Sequence, residues 1–306
     1  MWIFDWERPV SLLDTAVAEG VQVCIREVLA EGFTRETWKT ECRKRGLRYI
    51  LSIPLDDVTL KEEAADPFCF GWDQPDEPDD ASPTTVPIPV LLANYNRLMA
   101  VKRPDQHVML NFDAWPEEAW GPFDYLAASK CATLLMCDYY VRMRYGPNAV
   151  IGDIEGPKLD RFKGYCRDGQ LFGFFIETCN QIGTTGTNPY FPLAAGPTPD
   201  DEDAYFVLAA KKKCECVSLF QHVVGPIPGG WIAFNGTTPE NAARITANTK
   251  KYSTPLPGLA GLHPPVQSGG SDPLPAPVPQ PVDPLAGAVI TLNISVGGRN
   301  YVYSVK

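Results

Sequence analysis

Residues 68–80, FCFGWDQPDEPDD, pass within a few positions from a short apolar run to a group of five carboxylates. The apolar part is typical of the end of a buried strand, and the prolines that follow indicate a turn. The carboxylates in this turn are Asp73, Asp76, Glu77, Asp79 and Asp80. Two interpretations stand at this point. One is a solvated acidic turn with helix-capping aspartates, and the other is an acid, a base or a metal ligand at the carboxyl end of a strand.

This turn belongs to a longer pattern, in which short apolar strands alternate with amphipathic helical stretches. Strands are predicted at residues 2–6, 21–28, 47–54, 68–72, 107–112, 133–138, 171–176 and 217–221. Helices are predicted at residues 10–19, 34–45, 60–65, 90–102, 125–130, 159–167, 203–214 and 239–250. Eight strand–helix units in about 250 residues predict an α/β fold, a (β/α)8 TIM barrel over residues 1–252. An open doubly wound sheet is the alternative, although no glycine-rich phosphate loop follows any strand.

The composition of the chain changes sharply near Ser253. Residues 253–286 are mostly Pro, Gly, Ser and short apolar residues, which predicts a Pro-rich, extended linker without a core of its own. Residues 287–306 are predicted to form a C-terminal β-hairpin, because residues 288–296 and 301–305 alternate at period two around a GGRN turn. A lone two-stranded hairpin is marginal in water. We therefore expect this anchoring or assembly segment to dock on a second copy of the chain or on a larger protein assembly.

The charge of the chain argues against nucleic acid as a partner. The net charge is −10 and the pI is about 4.9, whereas a nucleic-acid surface needs a basic stripe. The dense basic runs, residues 43–45 and 211–213, lie where predicted helices end, which is where the helix dipole favours cations.

The cysteines and the first residues indicate where the protein is made. The nine cysteines form an odd count and most stand inside apolar stretches, which is typical of small buried hydrophobic residues. Their spacing and the three histidines predict no metal, and no other cofactor is predicted. No signal peptide or membrane-spanning stretch is apparent. We expect cytoplasmic synthesis, followed by release or by assembly into a particle.

Polar and aromatic side chains follow the predicted strands at their carboxyl ends. In a barrel of this kind the loops at that end carry the functional groups. The candidate substrate-binding residues are Asp5, Asp73, Asp76, Asn111, Asp113, Asp138, Tyr139, Tyr140, Asn180, Gln221 and Trp231. Acids and amides hydrogen-bond sugar hydroxyls, and flat rings cover the apolar faces of sugars. The sequence therefore predicts a carbohydrate partner.

Two glutamates follow separate strands. Glu77 lies in the loop after the fourth strand, and Glu177 follows the apolar run GFFI of the seventh. Glycosidic cleavage with retention needs two carboxyls about 5–5.5 Å apart, one protonated and one ionised. Negative neighbours raise the pKa of a carboxyl such as Glu77 toward the protonated role. The alternative for Glu177 is a salt bridge with Arg26 or Arg142 at the barrel rim.

Two stretches resemble a known family. FGWDQPDEPD (residues 70–79) resembles the strand-4 "DEP" signature of glycoside-hydrolase-like TIM barrels, and RPDQHVMLN (residues 103–111) is similar to their entry into strand 5. The resemblance extends over roughly residues 1–250 through the order of the eight units. It implies a retaining, clan-A-like glycosidase acting on a β-linked polysaccharide or glycoconjugate. Glu77 would be its acid/base and Glu177 its nucleophile.

Two other functions remain open from the sequence. A non-catalytic carbohydrate-binding or structural barrel would be attached through its tail to a virion or other surface assembly. A metal-dependent barrel hydrolase would use Asp73, Asp76 and His222 as ligands, although few histidines are present.

Overall fold

The computed structural model of the chain contains two compact units, Met1–Pro265 and Val266–Lys306. The structure describes residues 1–6, 8–26, 34–79, 86–113, 123–178, 180–181, 196–220, 234–235, 237–256, 290–296 and 299–305. Within these residues, no helix combines the length and the apolar character that crossing a bilayer requires.

The first unit is a closed barrel of eight parallel strands. In barrel order these strands are β1 (Trp2–Trp6), β2 (Val23–Arg26), β3 (Arg48–Ser52), β4 (Cys69–Asp73), β5 (His107–Phe112), β6 (Leu134–Cys137), β7 (Leu171–Glu177) and β9 (Cys216–Phe220). Pairing of β1 with β9 closes the sheet, from Trp2 beside Cys216 to Trp6 beside Phe220. The predicted (β/α)8 barrel is therefore confirmed, and the open doubly wound sheet was the wrong alternative.

Helices follow the strands around this barrel. They are α1 (Leu13–Glu19), α2 (Arg35–Lys44), α3 (Asp57–Ala65), α4 (Ile88–Met99), α5 (Tyr125–Ser129), α6 (Val141–Tyr145), α7 (Ile151–Gly164), α8 (Pro199–Lys211) and α9 (Pro239–Tyr252). Side chains at their first residues fix several starts: Thr34, Asp56, Thr198 and Thr238 each accept a backbone N–H three residues on. Two short strands, β8 (Asn180–Gln181) and β10 (Phe234–Asn235), pair antiparallel outside the barrel sheet.

Alternation along each strand divides the core into two layers. The inner layer fills the barrel with Phe4, Phe70, Met109, Phe175 and their neighbours. The outer layer lies between the strands and the helices and is the larger of the two. Leu256, beyond the end of α9, packs into the inner layer, and the preceding Thr254 donates its N–H to the carbonyl of Met1.

Two strand glycines are required by close approach. A Cβ on Gly71 would lie 1.9 Å from the carbonyl oxygen of His107, and a Cβ on Gly173 would lie 2.4 Å from Sγ of Cys216. Both contacts are far below van der Waals distance. The β4–β5 and β7–β9 neighbours therefore have their spacing only because these residues carry no side chain.

The helix α7 starts eight residues before the predicted start at residue 159. This helix contains Gly152, Gly156 and Pro157, and proline removes a helical hydrogen bond. Pro157 lies on the exposed side of α7, where water can bond the carbonyl that lost its partner. The short helix α6 was not predicted.

The second unit contains an antiparallel pair of strands, β11 (Ile290–Val296) and β12 (Arg299–Val305). Ile290 lies opposite Val305 and Val296 lies opposite Arg299. The predicted linker lies outside the described residues from position 257 onward, so the linker stays a prediction.

Candidate active site

The carboxyl ends of β4, β5 and β6 bring four acidic side chains together. Asp76 and Glu77 follow β4, Asp113 follows β5 and Asp138 follows β6. We call these four residues the acidic cluster. One carboxylate oxygen each from Glu77, Asp113 and Asp138 lies within 4.8 Å of the other two. The backbone holds this arrangement, because the N–H of Asp138 donates to the carbonyl of Phe112 at 3.0 Å.

Two described polar side chains contact this cluster directly. Nη2 of Arg144, on α6, lies 2.8 Å from Oδ1 of Asp113. The amide of Asn111, which is 2 % exposed, donates to Oδ1 of Asp76 at 3.0 Å. The crowding of these carboxylates disfavours ionisation of all four at once, which favours retention of a proton.

Glu77 and Asp138 share a hydrogen bond. Burial and the negative charges of Asp138, Asp76 and Asp113 raise the pKa of Glu77 well above its ordinary value. Burial likewise raises the pKa of Asp138, while the hydrogen bond from Glu77 works in the opposite direction. The two carboxyls therefore hold one proton between them as a pair.

The backbone at Glu77 is strained. Its φ is +43°, in the left-handed region that glycine adopts freely and other residues rarely do. Such conformations cost about 1–3 kcal/mol and are concentrated at functional sites. The turn between Pro75 and Pro78 thus holds Glu77 in a conformation that its own side chain disfavours.

Asp79, further along the same turn, is hydrogen-bonded to the backbone next to the acidic cluster. Its carboxylate accepts the N–H of Asp113 at 3.1 Å and the hydroxyl of Tyr125 at 3.0 Å. Burial raises the pKa of Asp79 to about 7, against these hydrogen bonds. Asp79 therefore fixes the backbone at the end of β5.

Glu177 ends β7 and is fully buried. Its Oε2 accepts the backbone N–H of Arg142 at 2.8 Å and the hydroxyl of Tyr205 at 3.2 Å. The barrel register places Glu177 beside Phe220, which lies beside Trp6 in an inward-facing row. Two hydrogen-bond donors on one oxygen favour the ionised carboxylate.

The helices that supply these donors are tied to each other. The guanidinium of Arg142, at the start of α6, forms a two-bonded ion pair with Asp201 of α8, at 2.8 Å and 2.5 Å. Asp201 also closes the capping box of α8 with Thr198. Arg142 was considered as a salt-bridge partner of Glu177. In the structure its backbone N–H contacts Glu177 while its side chain pairs with Asp201.

Two predicted substrate-binding residues lie in the outer layer instead. Asp5 points away from the barrel interior because its neighbours Phe4 and Trp6 point inward, and it is hydrogen-bonded to Arg8. Arg8 in turn lies 2.7 Å from Glu19 of α1. The expectation that Asp5 lines the mouth is corrected by this strand alternation.

Tyr139 is the second predicted substrate-binding residue that lies in the outer layer. Its side chain belongs to the outer layer, its hydroxyl contacts that of Tyr145, and its ring lies under Lys158 at 3.8 Å and Arg144 at 4.5 Å. Tyr140 points the other way, with its ring centroid 4.5 Å from that of Phe220. Of the two tyrosines, Tyr140 lies with the inner layer.

The remaining predicted residues are placed as follows. Asp73 is buried and lines a separate cavity of about 410 Å³, together with Ser52, Leu55, Gln74, Asn94, Arg97 and neighbours. Asn180 lies in β8, opposite Asn235. Gln221, Trp231 and His222 lie outside the described residues, so their roles stay predictions.

Several contributors to the site were missed at the level of sequence. They are Arg144, Asp201 and Tyr205. Two fully buried glutamates, Glu155 on α7 and Glu202 on α8, were also missed, although they take no part in the proposed chemistry. A signal for the two glutamates was present. Glu155 stands in the buried stripe of Ile151 and Leu159 at four-residue spacing.

The acidic cluster also has the chemistry of a cation site. Oxygen ligands of this kind suit a hard divalent cation such as Ca²⁺ or Mg²⁺. The residues whose oxygens converge are Glu77, Asp113 and Asp138, a different set from the Asp73, Asp76 and His222 of the metal-hydrolase hypothesis. A proton on Glu77 relieves the same repulsion.

Several solved glycoside hydrolases have a similar fold. The β-galactosidase from the psychrophilic Marinomonas ef1 is 10% identical, with a TM-score of 0.54 over 82% of this chain and 59% of its own. The family 17 β-1,3-glucanosyltransferase from Rhizomucor miehei is 14% identical, with a TM-score of 0.52 over 78% and 96%. A family 39 glycoside hydrolase from Bacteroides cellulosilyticus WH2 is 10% identical, with a TM-score of 0.52 over 81% and 63%.

These similarities extend to the fold and no further. This chain spans less than two thirds of the length of the β-galactosidase and of the family 39 enzyme. No protein family and no curated protein matches it by sequence.

Proposed function

We propose that the protein is a retaining glycoside hydrolase that acts on a β-linked polysaccharide or glycoconjugate. Glu77 is the acid/base and Glu177 is the nucleophile. The observation that carries the proposal is the convergence of Glu77, Asp113 and Asp138, whose carboxylate oxygens lie within 4.8 Å of one another at the carboxyl end of the barrel strands, because such crowding favours a protonated carboxyl. The fold shared with solved glycoside hydrolases supports the same class.

The two glutamates differ in the way that retaining cleavage requires. The charged groups that act on Glu77 are carboxylates. Glu177, by contrast, accepts two hydrogen bonds. An acid must hold its proton at rest, and a nucleophile must stay ionised. Glu77 follows β4 and Glu177 ends β7, three strands further along the closed barrel.

The proposed reaction proceeds in two steps. The Glu177 carboxylate attacks the anomeric carbon while the glycosidic bond breaks, and the proton of Glu77 passes to the leaving oxygen. The products are a glycosyl ester on Glu177 and a free alcohol. A water then attacks the same carbon and gives its proton to Glu77, which releases Glu177 and the sugar with retained configuration.

A panel of aryl β-glycosides and β-linked polysaccharides tests the proposal. We expect Glu77→Gln to lower turnover of unactivated glycans by about 10²–10⁴-fold. With aryl glycosides whose leaving group needs no protonation, the same variant should still release the aryl alcohol in a first-turnover burst, while the second step, in which Glu77 is the base, becomes slow. Glu177→Gln abolishes both reactions, and Asp168→Asn, at an exposed loop, changes neither. The proposal fails if both glutamate variants cleave every responsive substrate as the wild type does.

A second candidate function is supported by the burial of Glu177. A nucleophile must contact the anomeric carbon, yet Glu177 is fully buried and held between α6 and α8. This observation favours a barrel that binds carbohydrate without turnover, attached through residues 253–306 to a virion or other surface assembly. Binding of a glycan with equal affinity by wild type and Glu177→Gln, without hydrolysis, would select this function. Deletion of residues 266–306 should then abolish assembly.

A further inference from the structure

Two glutamates in the outer layer have no described role in the proposed chemistry. Glu155 on α7 and Glu202 on α8 are both fully buried. Within the described part of the chain, neither carboxylate oxygen of either residue has a hydrogen-bond partner. A buried, unbonded carboxylate is strongly disfavoured as an ion, whereas the uncharged acid is tolerated.

The surroundings of Glu155 do not supply a matched counter-ion. The described charged groups that face it are Lys158 on its own helix, Arg144 on α6, and Glu177 and Asp138 at the ends of β7 and β6. Lys158 lies over the ring of Tyr139 instead of bonding Glu155, with its nitrogen 3.8 Å from the ring centroid. Other titratable side chains that feel Glu155 are Cys137, Tyr139, Tyr205 and Cys214.

The surroundings of Glu202 are wholly acidic among the groups that act on it. They are Glu177 of β7 and Asp201 and Asp203 of its own helix, and the phenol of Tyr205 also feels Glu202. The guanidinium groups that reach the neighbouring aspartates are bonded to them, Arg142 to Asp201 and Arg244 to Asp203. An ionised Glu202 would therefore meet repulsion without compensation.

We propose that Glu155 and Glu202 are held as uncharged carboxylic acids, and that loss of their protons separates α7 and α8 from the barrel wall. The layer between the wall and these two helices is thus a pH-sensitive switch. Because α8 carries Tyr205 and Asp201, its displacement would release the hydroxyl and the Arg142 pair that position Glu177. The inference goes beyond the proposed function and does not depend on it.

The direction of the effect follows from proton binding. Burial raises the pKa of both Glu155 and Glu202 well above the ordinary value. The closed layer therefore holds protons that an opened layer gives up above about pH 4.3, the ordinary glutamate value. Stability of the closed layer is fully present below that pH and is lost as pH rises toward the raised values. Each glutamate makes the opening equilibrium rise about tenfold per pH unit in that range.

Amide hydrogen exchange of the full chain measures this opening. The exchange rates are first corrected for the base catalysis of amide exchange itself. The corrected rates in α7 and α8 of the wild type should then rise about tenfold per pH unit for each glutamate. Glu155→Gln and Glu202→Gln keep the shape of the side chain and should each remove one unit of that slope in their helix. Asp153→Asn on α7 and Asp200→Asn on α8, both exposed, are the matched controls and should leave the slope unchanged.

Infrared spectroscopy supplies a readout that does not depend on helix opening. An uncharged carboxylic acid has a C=O band that a carboxylate lacks. At neutral pH the wild type should show such bands, and each glutamine variant should remove one. Unchanged bands in both variants, or equal exchange slopes in wild type and variants, would overturn the proposal. If a variant does not fold, Glu77→Gln still tests the proposal, because it removes the band of the Glu77–Asp138 pair, and absence of any remaining band overturns the proposal.

Discussion

Glu77 and Asp138 share a hydrogen bond between the ends of β4 and β6, so that two carboxyl groups hold one proton between them. Neither residue would hold this state alone. The pair depends on burial, on the neighbouring Asp113 and Asp76, and on a backbone that holds Glu77 at a φ of +43°. The chemistry of the mouth is therefore a property of four residues from three loops.

Removal of the Asp138 charge should make Glu77 more acidic. With Asp138→Asn the negative charge that helps to keep the proton on Glu77 is lost, so the pKa of Glu77 should fall. Carbon-13 NMR of labelled glutamate side chains measures that pKa, with Glu77→Gln identifying the resonance. Asp168→Asn, at an exposed loop, is the control. An unchanged or raised pKa in Asp138→Asn would contradict the assignment of the proton.

The strain at Glu77 should be measurable as stability. Glycine relieves about 1–3 kcal/mol of left-handed strain but loses about 0.5–1 kcal/mol through the freedom of the unfolded chain. Glu77→Gly should therefore be more stable than Glu77→Gln by about 1 kcal/mol in urea unfolding. At Asp76, whose φ is not positive, the same comparison should favour Asp76→Asn over Asp76→Gly. If the glycine variant were the more stable at both Glu77 and Asp76, or the less stable at both, the result would contradict backbone strain at Glu77.

The hydroxyl of Tyr205 should contribute to stability through Glu177. A hydrogen bond to a charged group is worth about 1.5–3 kcal/mol, so Tyr205→Phe should lower the free energy of unfolding by that amount. Tyr165→Phe is the matched control, because it removes a hydroxyl that accepts a 3.2 Å hydrogen bond from Nε of Arg161. If both variants lose the same small amount, Glu177 does not carry the charge that the nucleophile role needs.

The Arg142–Asp201 pair should stabilise the protein in a pH-dependent way. Burial alone would raise the pKa of Asp201, but hydrogen bonds from Arg142 and Thr198 overcome it and lower that pKa. The contribution is therefore present above the ordinary aspartate value of about pH 3.9 and is lost as pH falls through the lowered value. Asp201→Asn should cost about 3–5 kcal/mol at neutral pH, because it leaves Arg142 buried and unpaired.

The check on this prediction is the acid limb of the stability curve. Wild type and Asp201→Asn should converge as pH falls, whereas Asp160→Asn, which touches an exposed pair with Lys212, should follow the wild type throughout. A constant gap between Asp201→Asn and wild type at all pH values would assign the loss to the helix cap alone.

Leu256 should stabilise the barrel from the segment that follows α9. Its side chain is 5% exposed and packs with the inner layer, so Leu256→Ala should cost about 2–5 kcal/mol in thermal or urea unfolding. Leu55→Ala, at a fully exposed leucine, should cost nothing measurable. Similar results at both positions would mean that the chain beyond α9 does not close the barrel.

The barrel was predictable because its signals are local. Apolar runs such as residues 2–6 and 107–112 coincide with β1 and β5, and threonines and aspartates at helix starts mark the caps. The position of Glu77 and Glu177 at strand ends followed from the same pattern. Local signals failed at α7, where glycines and an exposed proline are tolerated inside a helix.

The electrostatics of the site were much less predictable. The side of the strand on which Asp5 and Tyr139 lie depends on strand boundaries to within one residue, since a shift of one reverses the facing. The partners of Arg142 and Glu177 come from helices far along the chain, which a single sequence does not bring together. Glu155 and Glu202 look like ordinary polar helix residues until packing shows them buried.

The cysteines of the described part of the chain can report which segments of the protein unfold. All eight are free thiols, and only Cys166 is more than marginally accessible. Burial raises the pKa of the enclosed thiols, among them Cys24, Cys137 and Cys216, so little reactive thiolate is present while the fold is intact. An alkylating reagent should modify Cys166 first and the others only when their element opens. The order of modification, read by mass spectrometry, would therefore rank the barrel segments by the ease with which each one comes apart.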